Sequence, residues 1–265
     1  MKHPPRKRFG QHFLVDAGVI AAIIAAIRPE RGDRIVEIGP GQGALTRPLL
    51  AAGGRLDAIE IDRDLAAALK IEFGEALTLH CADVLRFDFA RLGNHLRVIG
   101  NLPYYISTPL LFHLAGHARH IRDIHVMLQR EVVARMVAAP PHSDYGRLSV
   151  MLQYRFGMEK IIDVPSHAFR PVPKVESAVV RLVPLAAPLV PALDEALFAR
   201  IVAAAFSQRR KTLRNSLEKF LAEAEIAGLG IAPRARAQEL SVAQFVALAN
   251  HAHRRVLVPR PSCAR

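Results

Sequence analysis

The segment "RIVEIGPGQG", residues 34–43, decides the fold. It begins as an apolar, strand-like run, and the glycine-rich turn that follows leads into a helical pattern over 43–52. Glycines let the backbone approach a ligand closely, and the first turn of a helix carries N–H groups without intrahelical partners. A strand, a glycine-rich turn and a helix in this order are typical of nucleotide-binding α/β sheets.

The alternation of strand-like and helical patterns continues to about residue 140. Strand-like runs occupy 34–39, 55–61, 77–81, 96–100 and 123–129. Helical patterns lie between them, and Asp62 is a good N-cap for the helix expected over 63–73. Two later runs, 147–156 and 176–185, have strand character and suit a hairpin at the sheet edge. The pattern predicts an α/β fold with a mostly parallel, doubly wound sheet.

The last part of the chain has a different pattern. Three prolines between 184 and 191 mark a linker, and the patterns beyond it are helical only. Ser241 and Gln244 have the spacing of a capping box at the start of one of these helices. We therefore expect two domains, 1–190 and 191–265, of which the second is all-helical.

The chain carries an excess of positive charge. It has 36 Lys and Arg residues against 24 Asp and Glu residues, a net charge of +12. Residues 186–265 hold 12 of the basic and 6 of the acidic residues, so under a third of the chain carries half of the excess. Arginine accounts for 29 of the basic residues, and it suits bidentate contacts to phosphate and stacking on bases. The charge predicts a polyanionic partner, gripped in part by the C-terminal domain.

The cysteines and the hydropathy of the sequence indicate in which cellular compartment the protein is expected. The two cysteines, Cys81 and Cys263, are far apart in the sequence, so no disulfide framework is expected and a reducing cytoplasm fits. No apolar run approaches the ~20 residues that a membrane span needs. The basic N-terminus followed by "VIAAIIAAI" at 19–27 imitates a signal peptide, but Gln11 and His12 interrupt the pattern, and we expect none.

Residues with chemical functions end four successive predicted strands: Gly39, Glu60, Asp83 and Asn101. In a doubly wound sheet, ligands bind beyond the carboxyl ends of the strands. A carboxylate at Glu60 can accept hydrogen bonds from two ribose hydroxyls, as in nucleoside-binding Rossmann-like sheets. Because the glycine turn also matches G-x-G-x-x-A, a nicotinamide-dependent dehydrogenase stays an alternative, as does a tight turn that binds nothing.

The segment "NLPY", 101–104, follows the fourth strand and has the groups needed to hold a nucleobase. The lone pair of an exocyclic amine is delocalised into the ring, which makes the nitrogen a poor nucleophile. The Asn101 side-chain oxygen and a backbone carbonyl beside Pro103 can accept the amino hydrogens and free that lone pair. Tyr104 offers a ring on which the base can stack. A plain proline turn that caps the next helix is the alternative.

The chain resembles the ribosomal RNA adenine N6-dimethyltransferases over nearly its whole length. The resemblance rests on "KRFGQHFL" at 7–14, "EIGPGQGALT" at 37–46, "IEID" at 59–62, "AD" at 82–83, "NLPYYIS" at 101–107 and "HAFRPVPKVESAVVRL" at 167–182. It implies a Rossmann-like class I methyltransferase sheet with a smaller all-helical C-terminal domain, and S-adenosylmethionine as the methyl donor.

The resemblance also implies residue roles. It assigns cofactor contacts to His12, Leu14, Gly39, Glu60, Asp83 and Asn101. It assigns catalysis to Asn101, Leu102, Pro103 and Tyr104, with Phe169 as a second stacking surface opposite Tyr104. A buried loop anchor is the alternative for Phe169.

The implied substrate is two adjacent adenines in a hairpin loop near the 3′ end of 16S rRNA, within the small ribosomal subunit or its precursor. We expect Arg209, Arg210, Lys211 and Arg214 to contact RNA from a helix start, with a solvated surface as the alternative. We expect a cytoplasmic monomer without a catalytic metal. A methyltransferase of large-subunit RNA, like the macrolide-resistance enzymes, and a non-catalytic ribosome-assembly factor also stay open.

Overall fold

A computed structural model of the chain describes residues 11–187, 190–208 and 210–257. Arg209, the middle of the proline linker and the basic residues before position 11 therefore lie outside the described residues. None of the helices within these ranges is long and apolar enough to cross a membrane.

The chain forms two compact units. The first contains residues up to Ala134 together with Phe156–Pro184, and the second contains Arg135–Arg155 together with the residues from Leu185 onward. The second unit thus takes in a segment that the sequence-based boundary near residue 190 placed in the first domain. Val150 and Tyr154 of that segment are buried in the same apolar cluster as Phe198, which explains the assignment.

Strands are numbered in chain order through the described residues. They are β1 Phe13–Leu14, β2 Arg34–Ile38, β3 Arg55–Glu60, β4 Leu77–Cys81, β5 Leu96–Asn101, β6 Ile121–Gln129, β7 Phe156–Val164, β8 Phe169–Arg170 and β9 Ser177–Pro184. Seven of them form one sheet in the order β4-β3-β2-β5-β6-β9-β7, while β1 and β8 pair as a separate two-stranded ribbon.

The first five strands of the large sheet are parallel, and β9 runs antiparallel to both of its neighbours. The chain order reverses between β2 and β5, which makes this the point where a ligand is expected in a doubly wound sheet. The predicted α/β fold with a mostly parallel sheet is confirmed.

Helices are numbered in the same way. They are α1 Ala17–Ile27, α2 Thr46–Ala51, α3 Arg63–Phe73, α4 Ser107–Gly116, α5 Arg130–Val137, α6 Arg147–Gln153, α7 Glu195–Ala205, α8 Leu213–Ser216, α9 Glu223–Gly228 and α10 Val242–Leu257. The apolar run that imitates a signal peptide lies in α1, where Ile23 and Ile27 pack into the core of the first unit.

Several predicted helix boundaries agree with the structure. Asp62 caps α3 by accepting a hydrogen bond from the Asp64 amide, and Ser241 and Gln244 exchange the two bonds of a capping box. The helix expected from residue 43 begins only at Thr46, because the glycine-rich segment forms turns first. Described residues beyond Asp194 are helical apart from turns and one isolated bridge, as expected.

The predicted hairpin was wrong in one of its two strands. The segment 147–156 begins with helix α6, and the strand that pairs with β9 is β7. The β-branched and aromatic residues of the segment favour a strand locally. In the structure, Val150 and Leu152 are buried on the helix, and Ser149 accepts a hydrogen bond from the Gly146 amide at its start. Burial and capping therefore outweigh the local preference.

Gly100 fixes the distance between β2 and β5 at the end of the sheet. It lies opposite Ile38 in the parallel register, and a Cβ on Gly100 would stand 2.6 Å from the Ile38 carbonyl oxygen. Real Cβ atoms do not approach a backbone oxygen this closely, so the two strands can lie side by side here only with a glycine. Gly39 and Asn101, the next residues of each strand, are positioned by this contact.

We expect Gly100→Ala to lower the free energy of unfolding by about 1–3 kcal/mol, since the added methyl must push apart two strands in the middle of the sheet. Urea unfolding measures the loss. Gly116→Ala is the matched control, because no atom outside its own helix backbone and chain neighbours lies within 4 Å of a Cβ at that position. Equal stability of the two variants would show that the contact at Gly100 is not a packing constraint.

Candidate functional site

The main cavity of the first unit lies at the carboxyl ends of β2, β3 and β5. Its volume is about 1110 Å³, counting the open mouth, and it is lined by residues drawn from 11–14, 37–45, 59–65, 82–84 and 101–106. The structure thus brings together the four strand-end residues and the "NLPY" segment that the sequence singled out. Two further predicted residues, His12 and Leu14, also line this cavity.

The glycine-rich turn forms one wall of the cavity. Gly39, Gly41 and Gly43 all have positive φ angles, between 58° and 78°, which side chains other than glycine rarely adopt. A Cβ on Gly41 would also stand 3.1 Å from the Phe13 ring, which packs against the turn. The turn therefore depends on glycine both for its backbone shape and for the space occupied by Phe13.

Glu60 places a carboxylate in the cavity. Its side chain is only 5% exposed, and its two oxygens accept hydrogen bonds from the Gly41 amide at 3.3 Å and the Asp62 amide at 2.9 Å. Burial raises the pKa of Glu60, while these backbone donors act in the opposite direction. The two amides fix the carboxylate, and hydroxyl donors from a bound ribose would compensate its desolvation further.

Asp83 lies two residues beyond β4 and has a local structural role as well as a place in the cavity. Its Oδ1 accepts a hydrogen bond from the Leu85 amide at 3.0 Å and caps a short 3₁₀ turn. One carboxylate oxygen of Asp83 thus serves as a cap, and the residue also lines the cavity.

Asn101 ends β5 at the centre of the site. Its Nδ2 donates to the His12 carbonyl oxygen at 3.0 Å. The Pro103 carbonyl already accepts hydrogen bonds from the Ser107 hydroxyl and the Ile106 amide, both at 3.2 Å. Of the carbonyls beside Pro103, that of Leu102 is therefore the candidate for a substrate amine.

Tyr104 is held at both ends of its side chain. Its hydroxyl lies 2.8 Å from the Ser177 hydroxyl, and its ring stacks on the His12 ring with centroids 5.9 Å apart and an interplanar angle of 24°. Burial raises the pKa of Tyr104, so the hydroxyl stays protonated at neutral pH. These two contacts fix the ring in the wall of the cavity, where it can serve as a stacking surface.

Two titratable residues that line the cavity, Tyr105 and Glu37, are not among the predicted site residues. Tyr105 lines the cavity with 58% of its surface exposed, and burial together with the charges of Asp83 and Glu60 raises its pKa. Glu37 is buried on β2, and Thr46 Oγ1 donates to its Oε2 at 2.6 Å. Burial raises the pKa of Glu37 to about 7. A charged residue inside the apolar run "RIVEI" was the available signal for Glu37.

The structure does not bring Phe169 to the cavity. The side chain is fully buried, it packs in the core of the first unit, and it is not among the residues that line the site. On β8 it lies opposite Leu14 of β1, which is itself almost fully buried. The structure thus places Phe169 as a buried anchor, the alternative that the sequence left open, and its stacking role stays a prediction.

The predicted RNA-contacting residues lie in the second unit. Arg210, Lys211 and Arg214 are exposed, and Arg214 Nη1 lies 3.6 Å from Glu223 Oε1. They do not stand at the start of a long helix, because α8 has only four residues and Lys211 belongs to the turn before it. Contact with RNA stays a prediction for these side chains.

Comparison with known protein families identifies one that spans almost the whole chain. The profile described as "Ribosomal RNA adenine dimethylase" matches residues 2–254. Curated proteins named "Ribosomal RNA small subunit methyltransferase A" are similar throughout. That of Thiobacillus denitrificans is 60% identical over 93% of this chain and 97% of its own. That of Bordetella pertussis is 57% identical, over 94% of each chain.

Two solved structures share the fold. A dimethyladenosine transferase from Plasmodium falciparum is 24% identical and covers 89% of this chain and 96% of its own, with a TM-score of 0.76. The 23S rRNA methyltransferase ErmE is 25% identical, covers 91% and 99%, and has a TM-score of 0.71. The expected Rossmann-like methyltransferase sheet with a helical C-terminal domain is thereby confirmed.

Glu37 makes stability depend on pH. Because its pKa rises from an ordinary 4.5 to about 7 on folding, the folded protein holds an additional proton between these values. Its contribution to stability is therefore fully present below pH 4.5 and is lost as the pH rises through 7. Relative to Glu37→Gln, which cannot titrate, the wild type should lose on the order of 3 kcal/mol of unfolding free energy across this range.

Urea unfolding of both proteins at pH 4.5, 6 and 7.5 measures this difference. Groups common to the two proteins cancel in the comparison. A constant difference between wild type and Glu37→Gln at the three pH values would show that folding does not raise the pKa of Glu37.

Proposed function

The chain belongs to the ribosomal RNA adenine dimethylase family, and from this we propose that it methylates N6 of two adjacent adenines in ribosomal RNA. The methyl donor is S-adenosylmethionine, and the product is N6,N6-dimethyladenine. The observation that supports this most is the position of Asn101, which ends β5 in the same cavity as the glycine-rich turn and Glu60. The sequence-based identification of the family is confirmed.

The cavity has side chains and backbone groups that suit S-adenosylmethionine. Glu60 would accept the two ribose hydroxyls, and the glycine-rich turn at Gly39 would let the backbone approach the ligand. His12, Leu14 and Asp83 would complete the cofactor contacts. When bound, S-adenosylmethionine supplies a methyl group on a positively charged sulfur, which is a strong electrophile.

Residues 101–104 would activate the adenine amine by position rather than by a general base. The Asn101 Oδ1 and the Leu102 carbonyl would accept the two N6 hydrogens and draw the nitrogen toward a tetrahedral geometry with a free lone pair. Pro103 stiffens the turn between them, and Tyr104 would carry the base on its ring. Holding amine and methyl in line accounts for most of the expected acceleration.

The proposed RNA is the small-subunit rRNA. Its 3′ hairpin loop, within the small ribosomal subunit or its precursor, is the site expected from the resemblance. The relatives at 54–60% identity support the small subunit, since each is named for it, whereas the large-subunit enzyme ErmE is only 25% identical.

A family match over residues 2–254 also favours methyl transfer over the dehydrogenase suggested by G-x-G-x-x-A. Because ribosomal RNA is the proposed partner, we propose that the protein acts in the cytoplasm; the monomer stays an expectation from the sequence.

Incubation with labelled S-adenosylmethionine and unmethylated small subunits should give dimethyladenine, located by mass spectrometry of RNA fragments. We expect Asn101→Ala to reduce transfer by roughly 100-fold or more, because the amine loses its acceptor, while donor binding stays measurable by calorimetry. Asn94→Ala, in the bend two residues before the same strand, is the control and should keep wild-type activity.

Label on any base other than adenine would contradict the proposed function, as would methylation of large subunits but not of small subunits in parallel reactions. Equal loss of transfer and of donor binding in Asn101→Ala would assign that residue a structural role instead. A variant that binds small subunits without methylating them would separate an assembly role from catalysis.

The basic residues 209–214 should contribute to RNA binding through phosphates. Replacing Arg209, Arg210 and Lys211 by Ala should weaken binding to small subunits and reduce the slope of log K against log salt by about two to three. Filter binding from 50 to 300 mM salt measures the slope. Replacing Lys160 and Arg181, which are exposed on β7 and β9, by Ala gives a control variant. If the triple variant has the same slope as this control, residues 209–211 do not contact the RNA.

A further inference from the structure

Residues 11–14 form a strap beside the cavity, tied to the segment 168–171 of the same unit. β1 pairs with β8 through Phe13–Arg170 and Leu14–Phe169, and the Val15 and Asp16 amides donate to the Ala168 carbonyl. At the other end of the strap, His12 Nδ1 lies 2.7 Å from the Pro171 carbonyl oxygen. A carbonyl only accepts, so Nδ1 carries the proton in this contact.

The strap controls which end of the Asn101 amide can face a substrate. A flip of an asparagine amide by about 180° exchanges its oxygen and nitrogen with little change of shape. Only a hydrogen-bond partner therefore favours one orientation over the other. That partner is the His12 carbonyl, 3.0 Å from Nδ2. With the amide reversed, two oxygens would face each other at this distance and repel.

The mechanism needs one of these orientations only. An amine on adenine can be activated by Oδ1, which accepts, but not by Nδ2, which donates as the amine itself does. By holding Nδ2, the His12 carbonyl leaves Oδ1 for the substrate before any substrate arrives. Preorganised acceptors of this kind need no rearrangement at the moment of reaction.

The His12 ring supports the same arrangement through Tyr104. The two rings stack at a centroid distance of 5.9 Å, and the Tyr104 hydroxyl is held by Ser177. One residue therefore contacts both the amine-activating side chain and the stacking side chain. The position of His12 is set by its hydrogen bond to the Pro171 carbonyl and by the buried pair of Leu14, two residues further along the chain in β1, and Phe169.

We infer that His12 is a positioning residue for methyl transfer, which orients the Asn101 amide through its carbonyl and is itself anchored through its ring nitrogen on Pro171. The inference rests on the proposed function and goes beyond the cofactor contact expected for His12. The inference also explains why Phe169 is buried: its side chain anchors the β1–β8 ribbon, to which the strap belongs.

Two variants separate the contacts of the ring. His12→Asn keeps a side-chain N–H that can donate to the Pro171 carbonyl but has no ring for Tyr104. His12→Phe keeps a ring and loses the donor. His12→Ala loses both, and it should lower kcat by roughly 10- to 100-fold while changing donor affinity less than about threefold.

We expect His12→Asn to recover at least a third of the wild-type kcat and His12→Phe to stay near His12→Ala. The Asn101 side-chain NH₂ signal, identified by its absence from Asn101→Ala, should be protected from exchange with water in wild type and His12→Asn. It should exchange faster in His12→Phe and His12→Ala. If His12→Ala does not fold, the Asn and Phe variants alone decide the comparison.

Three outcomes would overturn the inference. Donor affinity that falls by the same factor as kcat would make His12 a cofactor contact only. Recovery by Phe but not by Asn, or unchanged kcat in His12→Ala, would remove the anchor on Pro171 from catalysis. Dimethyladenine formed by the wild type in the same assay keeps these results distinct from a failure of the proposed function.

Discussion

The parallel register of β3, β2 and β5 is the constraint on which the site depends. Ile38 lies beside Ile59 on one side and Gly100 on the other, so the residues that follow these strands emerge at one level. The Gly39 amide donates to the Ile59 carbonyl, which continues the ladder one residue past β2. The register thereby brings together the glycine turn at Gly39, the Glu60 carboxylate and the Asn101 amide, which are distant in sequence. No contact between their side chains is needed to place them at one edge of the sheet.

A second layer of contacts adjusts these groups to their chemistry. Glu60 is held by two backbone amides, Asn101 by the His12 carbonyl, and Tyr104 by Ser177 and the His12 ring. Most of these partners come from outside the strands that carry the functional residues. The sheet therefore determines where each group lies, while loops and the strap determine which atoms of the group are presented. Glu37 is the exception, because its partner Thr46 lies only nine residues further along the chain, at the start of α2, and its pKa reflects burial.

The sheet and the strand-end residues could be predicted from the sequence because their signals are local. Apolar runs, a glycine turn and caps such as Asp62 each act within a few residues. The segment at 147–153 was misassigned because burial in the second unit, which the local pattern does not contain, makes it helical. The sequence could not decide between the two interpretations of Phe169 or reveal the contact between His12 and Asn101, since each depends on a pairing across more than 80 residues of sequence.

A crystal structure with S-adenosylmethionine and an adenine-containing RNA fragment bound is the most direct measurement of the central claim. The account predicts the donor ribose on the Glu60 carboxylate and the transferable methyl in line with an adenine N6 that donates to Asn101 Oδ1. A donor bound elsewhere, or an Asn101 side chain that turns its amide nitrogen toward the base, would contradict it.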